Sequence, residues 1–290
     1  MPTPNMPRPI ADTRRPKIKF PPKATDCHAH VFGPLERYKI LPDTHFVPPV
    51  CPVEDYIRML RTIGCERAVI VQPSVYGTDN SATEEALQSG AFQFRGVAVV
   101  APDVTDKELE RLHGIGFRGI RINTASATKG LKLEHAAQLA HRVKPLGWHL
   151  QFFVNFRESP GMEAELAKLP IKIVIDHFGR IATKDGLEAP PFQALLRLLK
   201  RDHCYAKLMG PYFPSDAAPD YPDLTPFARA MVAAAPDRVV WGTDWPHPSA
   251  REKMPNDGDL ADLLLEWVPD EAQRTRVLVT NPQKLYSFEE

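Results

Sequence analysis

The chain has no apolar run approaching the ~18 residues of a membrane span, no excess of either charge and no paired cysteine motif. Each gap excludes a class. Without a long apolar run there is no bilayer-spanning helix to expect and no membrane partner. Lys plus Arg number 36 and Asp plus Glu also 36, so no basic groove for nucleic acid and no polybasic face for an anionic membrane is implied. The first residues carry Pro, Arg and Lys but no apolar signal core, so secretion is not expected. Cys27, Cys51, Cys65 and Cys204 lack CxxC spacing and read as buried thiols of a reducing, cytoplasmic compartment. No glycine-rich loop follows the first apolar run, which argues against a nucleotide-binding sheet. No repeat or low-complexity segment stands out.

Proline, by contrast, is abundant: 30 of 290 residues, about twice the ~5% background. It is concentrated in residues 1–22 and in loops. Residues 1–22 lack periodicity and read as a Pro-rich arm, lying on the surface or partly disordered. Residues 23–290 then read as one domain, long enough for a large core.

In that domain, short runs rich in Val, Ile and Phe alternate with amphipathic segments. Strands are expected at 24–32, 67–73, 95–101, 119–123, 149–154, 171–177, 204–209 and 238–244, several apolar almost throughout, as strands buried on both faces should be. Helices are expected at 53–63, 82–89, 106–112, 133–144, 162–168, 192–200, 225–235, 260–267 and 270–279, the last ended by Asn281-Pro282. Strict alternation of eight such units predicts a (β/α)8 TIM barrel; a doubly wound sheet is the competing architecture.

Several of these runs end in polar side chains. The first gives Asp26-Cys27-His28-Ala29-His30, the sixth Ile175-Asp176-His177 and the last Gly242-Thr243-Asp244-Trp245-Pro246. Alternation along a strand turns His28 and His30 the same way. A lone histidine is more often a satisfied core residue, but a pair at a strand end can clasp a metal or flank an oxyanion. Asp176 is expected to point away from His177, with Arg180 one available partner. Asp244 is either a turn residue or a general base for water. His247 is placed at the pocket rim. Arg121, near the end of the fourth strand, needs an anion, either a substrate carboxylate or a structural Asp. Ser74 and Tyr76 either donate hydrogen bonds to substrate or form an ordinary turn. Lys207 is expected to be buried with an ion-pair partner or a shifted pKa.

At these motifs the chain resembles the amidohydrolase superfamily, in its amidohydrolase-2 branch. Asp26–His30 resembles the HxH of strand one, Ile175–Gly179 the IDHxG element, and Gly242–Pro246 the GTDWP element. Within the branch the likeness is to the lactonase group, which includes 2-pyrone-4,6-dicarboxylate lactonase, sulfomuconolactone hydrolase and galactarolactone isomerase. The resemblance implies hydrolysis of a small carboxylated lactone in aromatic or sugar-acid catabolism. Asp244 would activate water, His28, His30 and His177 would surround the carbonyl, and Ser74 and Arg121 would hold the substrate. A lactone isomerase, acting by intramolecular acyl transfer, is the alternative; a zinc-dependent decarboxylase or hydrolase is a further one, with His28, His30, His177 and Asp244 as ligands. A barrel that only binds a carboxylated metabolite is the non-enzymatic reading.

Metal-dependent members supply a histidine from strand five, whereas here that strand reads His149-Leu150-Gln151-Phe152-Phe153, with its histidine at the opposite end. No metal or other cofactor is therefore expected. The pyrone dicarboxylate lactonase uses further arginines after strand four; this chain has Asn123–Lys129 without one. A substrate with a single carboxylate, at Arg121, is the expectation.

Overall fold

The computed structural model describes residues 4–124, 131, 133–250 and 253–289. Eight strands, β1 (Thr25–Ala29), β2 (Arg67–Val71), β3 (Gln93–Ala98), β4 (Phe117–Asn123), β5 (His149–Phe153), β6 (Ile173–Ile175), β7 (Cys204–Leu208) and β8 (Val239–Trp241), form one sheet in chain order. Every neighbouring pair is parallel. The ends of β1 and β8 close the ring. His30 N–H donates to Trp245 O at 2.7 Å, and Asp244 N–H donates to His28 O at 2.9 Å. The molecule is a (β/α)8 barrel, as the alternating pattern predicts, and all eight strand ends carry their loops to one rim.

Around the strands lie α1 (Val53–Ile63), α2 (Ser81–Gln88), α3 (Asp106–Ile115), α4 (Leu133–Val143), α5 (Met162–Leu166), α6 (Pro190–Leu199), α7 (Thr225–Ala234) and α8 (Asp257–Trp267). They form because their apolar residues repeat at helical spacing. In α1, Tyr56, Ile57, Met59, Leu60 and Ile63 are buried against the strands, and Gly64 ends the helix with φ 95°, its N–H returning to Leu60 O. This left-handed turn favours glycine. Thr105 caps α3 by accepting from Glu108 N–H, a contact worth about 1 kcal/mol.

Two apolar layers result. The larger lies between strands and helices. A smaller one inside the barrel joins Val69, Val97, Val174 and Val240 to Tyr286 and Phe288 of the C-terminal segment, which seal the end opposite the rim. His149 belongs to this inner region: fully buried, packed against Tyr286 at 5.2 Å, its pKa pushed down to about 3 by burial. A Cβ at Gly119 would stand 2.5 Å from its ring, so the neighbouring strand must be glycine at that level.

The C-terminal part departs from expectation. The final helix does not stop at Asn281-Pro282. It runs as α9 (Glu271–Thr275), a π-helical turn (Arg276–Thr280) and α10 (Asn281–Tyr286). Pro282 comes just after the π-helical turn, and the helix continues through it. The proline-rich arm, over its described residues, lies against the barrel. Met6 and Ile18 are buried, Lys17 and Ile18 N–H groups donate to Asp262, and Arg14 pairs with Asp259 and Asp262. The Arg14 carbonyl passes so close to α8 that a Cβ at Gly258 would lie 2.0 Å from it. Among the described residues no helix is long and apolar enough to cross a membrane, and all four cysteines are free and buried.

Candidate active site

Register sets the site. Arg121 on β4 is level with Gln151 on β5, and both side chains enter the barrel beneath the rim with Lys207 from β7. All three are buried. Asp176, at the end of β6, binds them together. It lies 2.9 Å from Gln151 Nε2, 3.4 Å from Lys207 Nζ and 3.8 Å from Arg121 Nε. Asp176 and His177 therefore both face the interior, contrary to simple alternation, and Arg180 is not the Asp176 partner. The reason is local: β6 ends at Ile175, and His177 takes φ 48°, which turns its ring back into the barrel. Gly210 makes room for that ring, since a Cβ there would meet His177 Nδ1 at 2.5 Å.

Lys207 has three hydrogens and three close acceptors: Gln151 Oε1 at 2.8 Å, Cys27 O at 3.0 Å and His28 Nδ1 at 3.1 Å. An ammonium donating to Nδ1 leaves His28 as the Nε2–H tautomer. His30 is the reverse. Its Nδ1 lies 2.7 Å from Val71 O; a carbonyl can only accept, so Nδ1 carries the hydrogen and Nε2 presents a lone pair. The two Nε2 atoms are 3.4 Å apart, a donor facing an acceptor. Both rings stay neutral. Burial, with Lys207 and the neighbouring histidine, holds His28 well below the ordinary histidine value. Burial and Arg121 push His30 down to about 3. His177 is likewise held low by burial, between Phe213 and Phe153 at ring distances of 4.4 and 5.0 Å.

Asp244 follows β8 in a tight turn with φ 67°, a conformation that Asp tolerates better than most residues. Its two oxygens differ. Oδ2 accepts from the Tyr212 hydroxyl at 2.5 Å. Oδ1 is buried without a hydrogen-bond partner among the described residues, 3.7 Å from His28 Nε2 and 3.8 Å from His30 Nε2. His177 Nδ1 stands 4.0 Å from Oδ2. Burial raises the Asp244 pKa to about 7, against the opposing pull of the Tyr212 hydroxyl, His247 and Arg121. Beside it, Asp26 braces β1 to β8, accepting from His28 N–H, from Thr243 through both N–H and hydroxyl, and from Tyr56.

A small recess of about 60 Å³ collects His30, Ser74, Arg121, His177 and Asp244 on its walls. Arg121 is 6% exposed. Its one described hydrogen bond is a long 3.4 Å contact to Gln72 O, so most of its donors face the recess or the more distant Asp176. His28, Tyr76 and His247 do not line this recess; His28 is fully buried beside His30. Tyr76 ends a 3-10 turn that begins with Ser74; the turn presents Ser74 and packs Tyr76 inward, its hydroxyl accepting from Gly33 N–H. His247 sits at φ 62° just after the Asp244 turn, fully buried, with Nε2 3.1 Å from Asp257. Burial opposes its charging, but the Asp257 carboxylate prevails and raises its pKa. Sequence reasoning missed Tyr212 and the bracing role of Gln151. The one signal was a tyrosine two residues after a glycine at the end of β7. The stretch 125–129 after β4 lies outside the described residues.

Among the described residues two donor groupings could in principle hold a metal ion: His28, His30 and Asp244, or His28, Asp176 and His177. Both need His28. In the first its Nε2 carries hydrogen; in the second its Nδ1 is covered by the Lys207 ammonium at 3.1 Å. The residues do not fit a divalent ion as they stand.

Residues 25–288 match the amidohydrolase family. Among curated proteins, the chain is 37% identical to a 4-sulfomuconolactone hydrolase of Hydrogenophaga intermedia, covering 93% of this chain and 90% of that one. It is 33% identical to a 2-pyrone-4,6-dicarboxylate hydrolase of Comamonas testosteroni (97% and 95%), and 32% identical to a D-galactarolactone isomerase of Agrobacterium fabrum (94% and 94%). A solved Agrobacterium tumefaciens structure superposes with a TM-score of 0.84 at 31% identity, covering 94% of this chain and 99% of its own. From matched motifs, fold and relatives alike, the chain belongs to the amidohydrolase family.

Proposed function

We propose that this protein opens a carboxylated lactone by adding water to its carbonyl, with Asp244 as general base. One observation carries the reading: Asp244 lines the recess, its buried Oδ1 has no hydrogen-bond partner among the described residues, and its pKa stands at about 7. That is where a base must be poised to work at neutral pH.

The steps follow from the hydrogen positions. Water in the recess gives one proton to Asp244 Oδ1, and the His30 Nε2 lone pair accepts its other hydrogen bond. The water oxygen attacks the carbonyl carbon. Negative charge passes to the carbonyl oxygen beside His177, which lines the same wall; His28, off the recess lining, stands next to His30 and orients it through its Nε2–H at 3.4 Å. The ring C–O bond then breaks, and the Asp244 proton passes to the departing alkoxide, giving an open hydroxy acid. Arg121 and Ser74 hold the substrate carboxylate. An isomerase would use the same base on a substrate hydroxyl in place of water. No cofactor is invoked, because Lys207 takes His28 out of any ligand set. The reading suits a role in aromatic or sugar-acid catabolism, and four free buried thiols suit the cytoplasm.

The test is turnover of a panel of carboxylated lactones in ¹⁸O-water. Hydrolysis puts one ¹⁸O into the new carboxylate; isomerisation yields a new lactone without it. Absence of turnover across γ- and δ-lactones of both acid types overturns the reading.

A further inference from the structure

The catalytic recess is not the only space behind Arg121. A second cavity of about 310 Å³ adjoins it, sharing Ser74, Arg121 and Asn123 as a common wall. Its remaining surface is largely hydrocarbon: Leu41, Val99, Val100, Pro102 and Leu131. Among the described residues that line it, Arg121 alone is charged, and that charge stands on the shared wall.

We propose that this second compartment receives an uncharged, apolar arm of the substrate, so that the preferred substrate class is a lactone with one carboxylate and an alkyl or aryl substituent. The ring chemistry in this statement rests on the lactone reading above; the compartment itself does not. Three features support it. The recess of about 60 Å³ is far smaller than its neighbour, so a substituted ring must extend across the common wall. Arg121 can neutralise one acid group, and a second acid group pushed past it would find no counter-ion among the described lining residues. Hydrocarbon placed there instead leaves water for apolar walls, each buried methylene being worth roughly fourfold in affinity. This separates the chain from relatives named for a sulfonated and a dicarboxylated lactone.

Binding can be read without turnover. Butanoate, hexanoate and octanoate are titrated calorimetrically into the protein, with adipate as a second-carboxylate probe and gluconate as a polyol probe. Affinity is expected to rise at least ~10-fold from butanoate to octanoate, because four methylenes at full burial would give roughly 200-fold. Adipate and gluconate are expected to bind more weakly than hexanoate. Val99→Asp and, as a milder variant, Leu41→Gln should flatten the chain-length dependence while leaving butanoate affinity within about twofold, with folding checked by melting. The proposal is overturned if adipate or gluconate binds as well as hexanoate, if chain length has no effect, or if the length effect survives in both variants. Lactone turnover is scored separately. Chain-length dependence without turnover keeps the compartment and discards the lactonase; turnover without it does the opposite.

Discussion

Replacing Asp244 with Asn should make the protein less active and more stable, and the stability gain should depend on pH in a calculable way. Burial lifts the Asp244 carboxyl from an ordinary 3.8 to about 7, so its ionised form is disfavoured in the folded state. The folded value is the higher one, so the group adds no penalty below pH ~4. A penalty grows as pH rises from there and is complete above about 7. At ~1.4 kcal/mol per pH unit, its ceiling is roughly 4 kcal/mol, of which ~3 kcal/mol accrues between pH 5 and pH 8. Asparagine keeps the shape and the acceptor for Tyr212 but cannot ionise. Urea unfolding of both proteins at pH 5, 6, 7 and 8 isolates the effect, because Asp26, raised by burial to about 6, titrates in both and cancels in the difference. The variant should gain ~3 kcal/mol relative to the parent across that range, while turnover falls at least ~100-fold. A difference flat from pH 5 to pH 8 would refute the claim that Asp244 is a buried base poised near neutrality, and a variant with near-parental kcat would refute its role.

Other consequences follow from the same geometry. kcat/KM should rise with pH to a plateau, with its acid limb near 7, since the base works only when deprotonated; Tyr212→Phe removes the hydroxyl that lowers the Asp244 pKa, so that limb should move to higher pH. Lys207→Met frees His28 Nδ1, and the ring can then carry its hydrogen there, toward Asp176; ¹⁵N NMR should show the tautomer change, turnover should drop at least ~10-fold, and the variant should take up zinc more readily than the parent. Stoichiometric zinc in the parent, with activity lost to chelator and restored by zinc, would overturn the metal-free mechanism. Arg121→Lys should raise KM for lactones bearing a carboxylate far more than for neutral analogues, because an ammonium cannot reproduce the bidentate contact; an equal penalty on both would mark Arg121 as a structural partner of Asp176.

Much of this was legible before any coordinates. The runs rich in Val and Ile are strands buried on both faces, so their pattern marks β1 to β8 directly. The polar residues that interrupt them at one end, His28, His30, His177 and Asp244, could converge only if the strands were parallel and closed. What the sequence hid has physical causes. Alternation placed Asp176 and His177 on opposite faces, but a positive φ at His177 cancels alternation at the strand's last step. Tyr76 and His247 lie beside site residues in sequence, yet a 3-10 turn and a left-handed turn rotate them out of the recess. Gln151 read only as a missing histidine, because its partners Asp176 and Lys207 come from other strands. Proline at 282 read as a stop, yet the helix passes it by way of the π-helical turn just before it.

The division of labour between two buried acids is the step that joins fold to chemistry. Asp176 and Asp244 stand at the ends of β6 and β8, and both are almost wholly buried. Asp176 has a lysine, a glutamine and an arginine around it, so its charge is spent holding Lys207 and Arg121 in place. Asp244 has neutral neighbours on the recess side, two histidines kept uncharged by burial and by the cations gathered around Asp176. The same cations thus do two things. They surround one carboxylate, and they help keep the recess-side histidines neutral, so that burial raises the second against the pull of Tyr212, His247 and Arg121. In the proposed mechanism this burial is what would poise Asp244 as a base near neutrality. Moving Lys207 away from His28 should therefore disturb Asp244 through the imidazole between them, although no atom of Lys207 is described in contact with it.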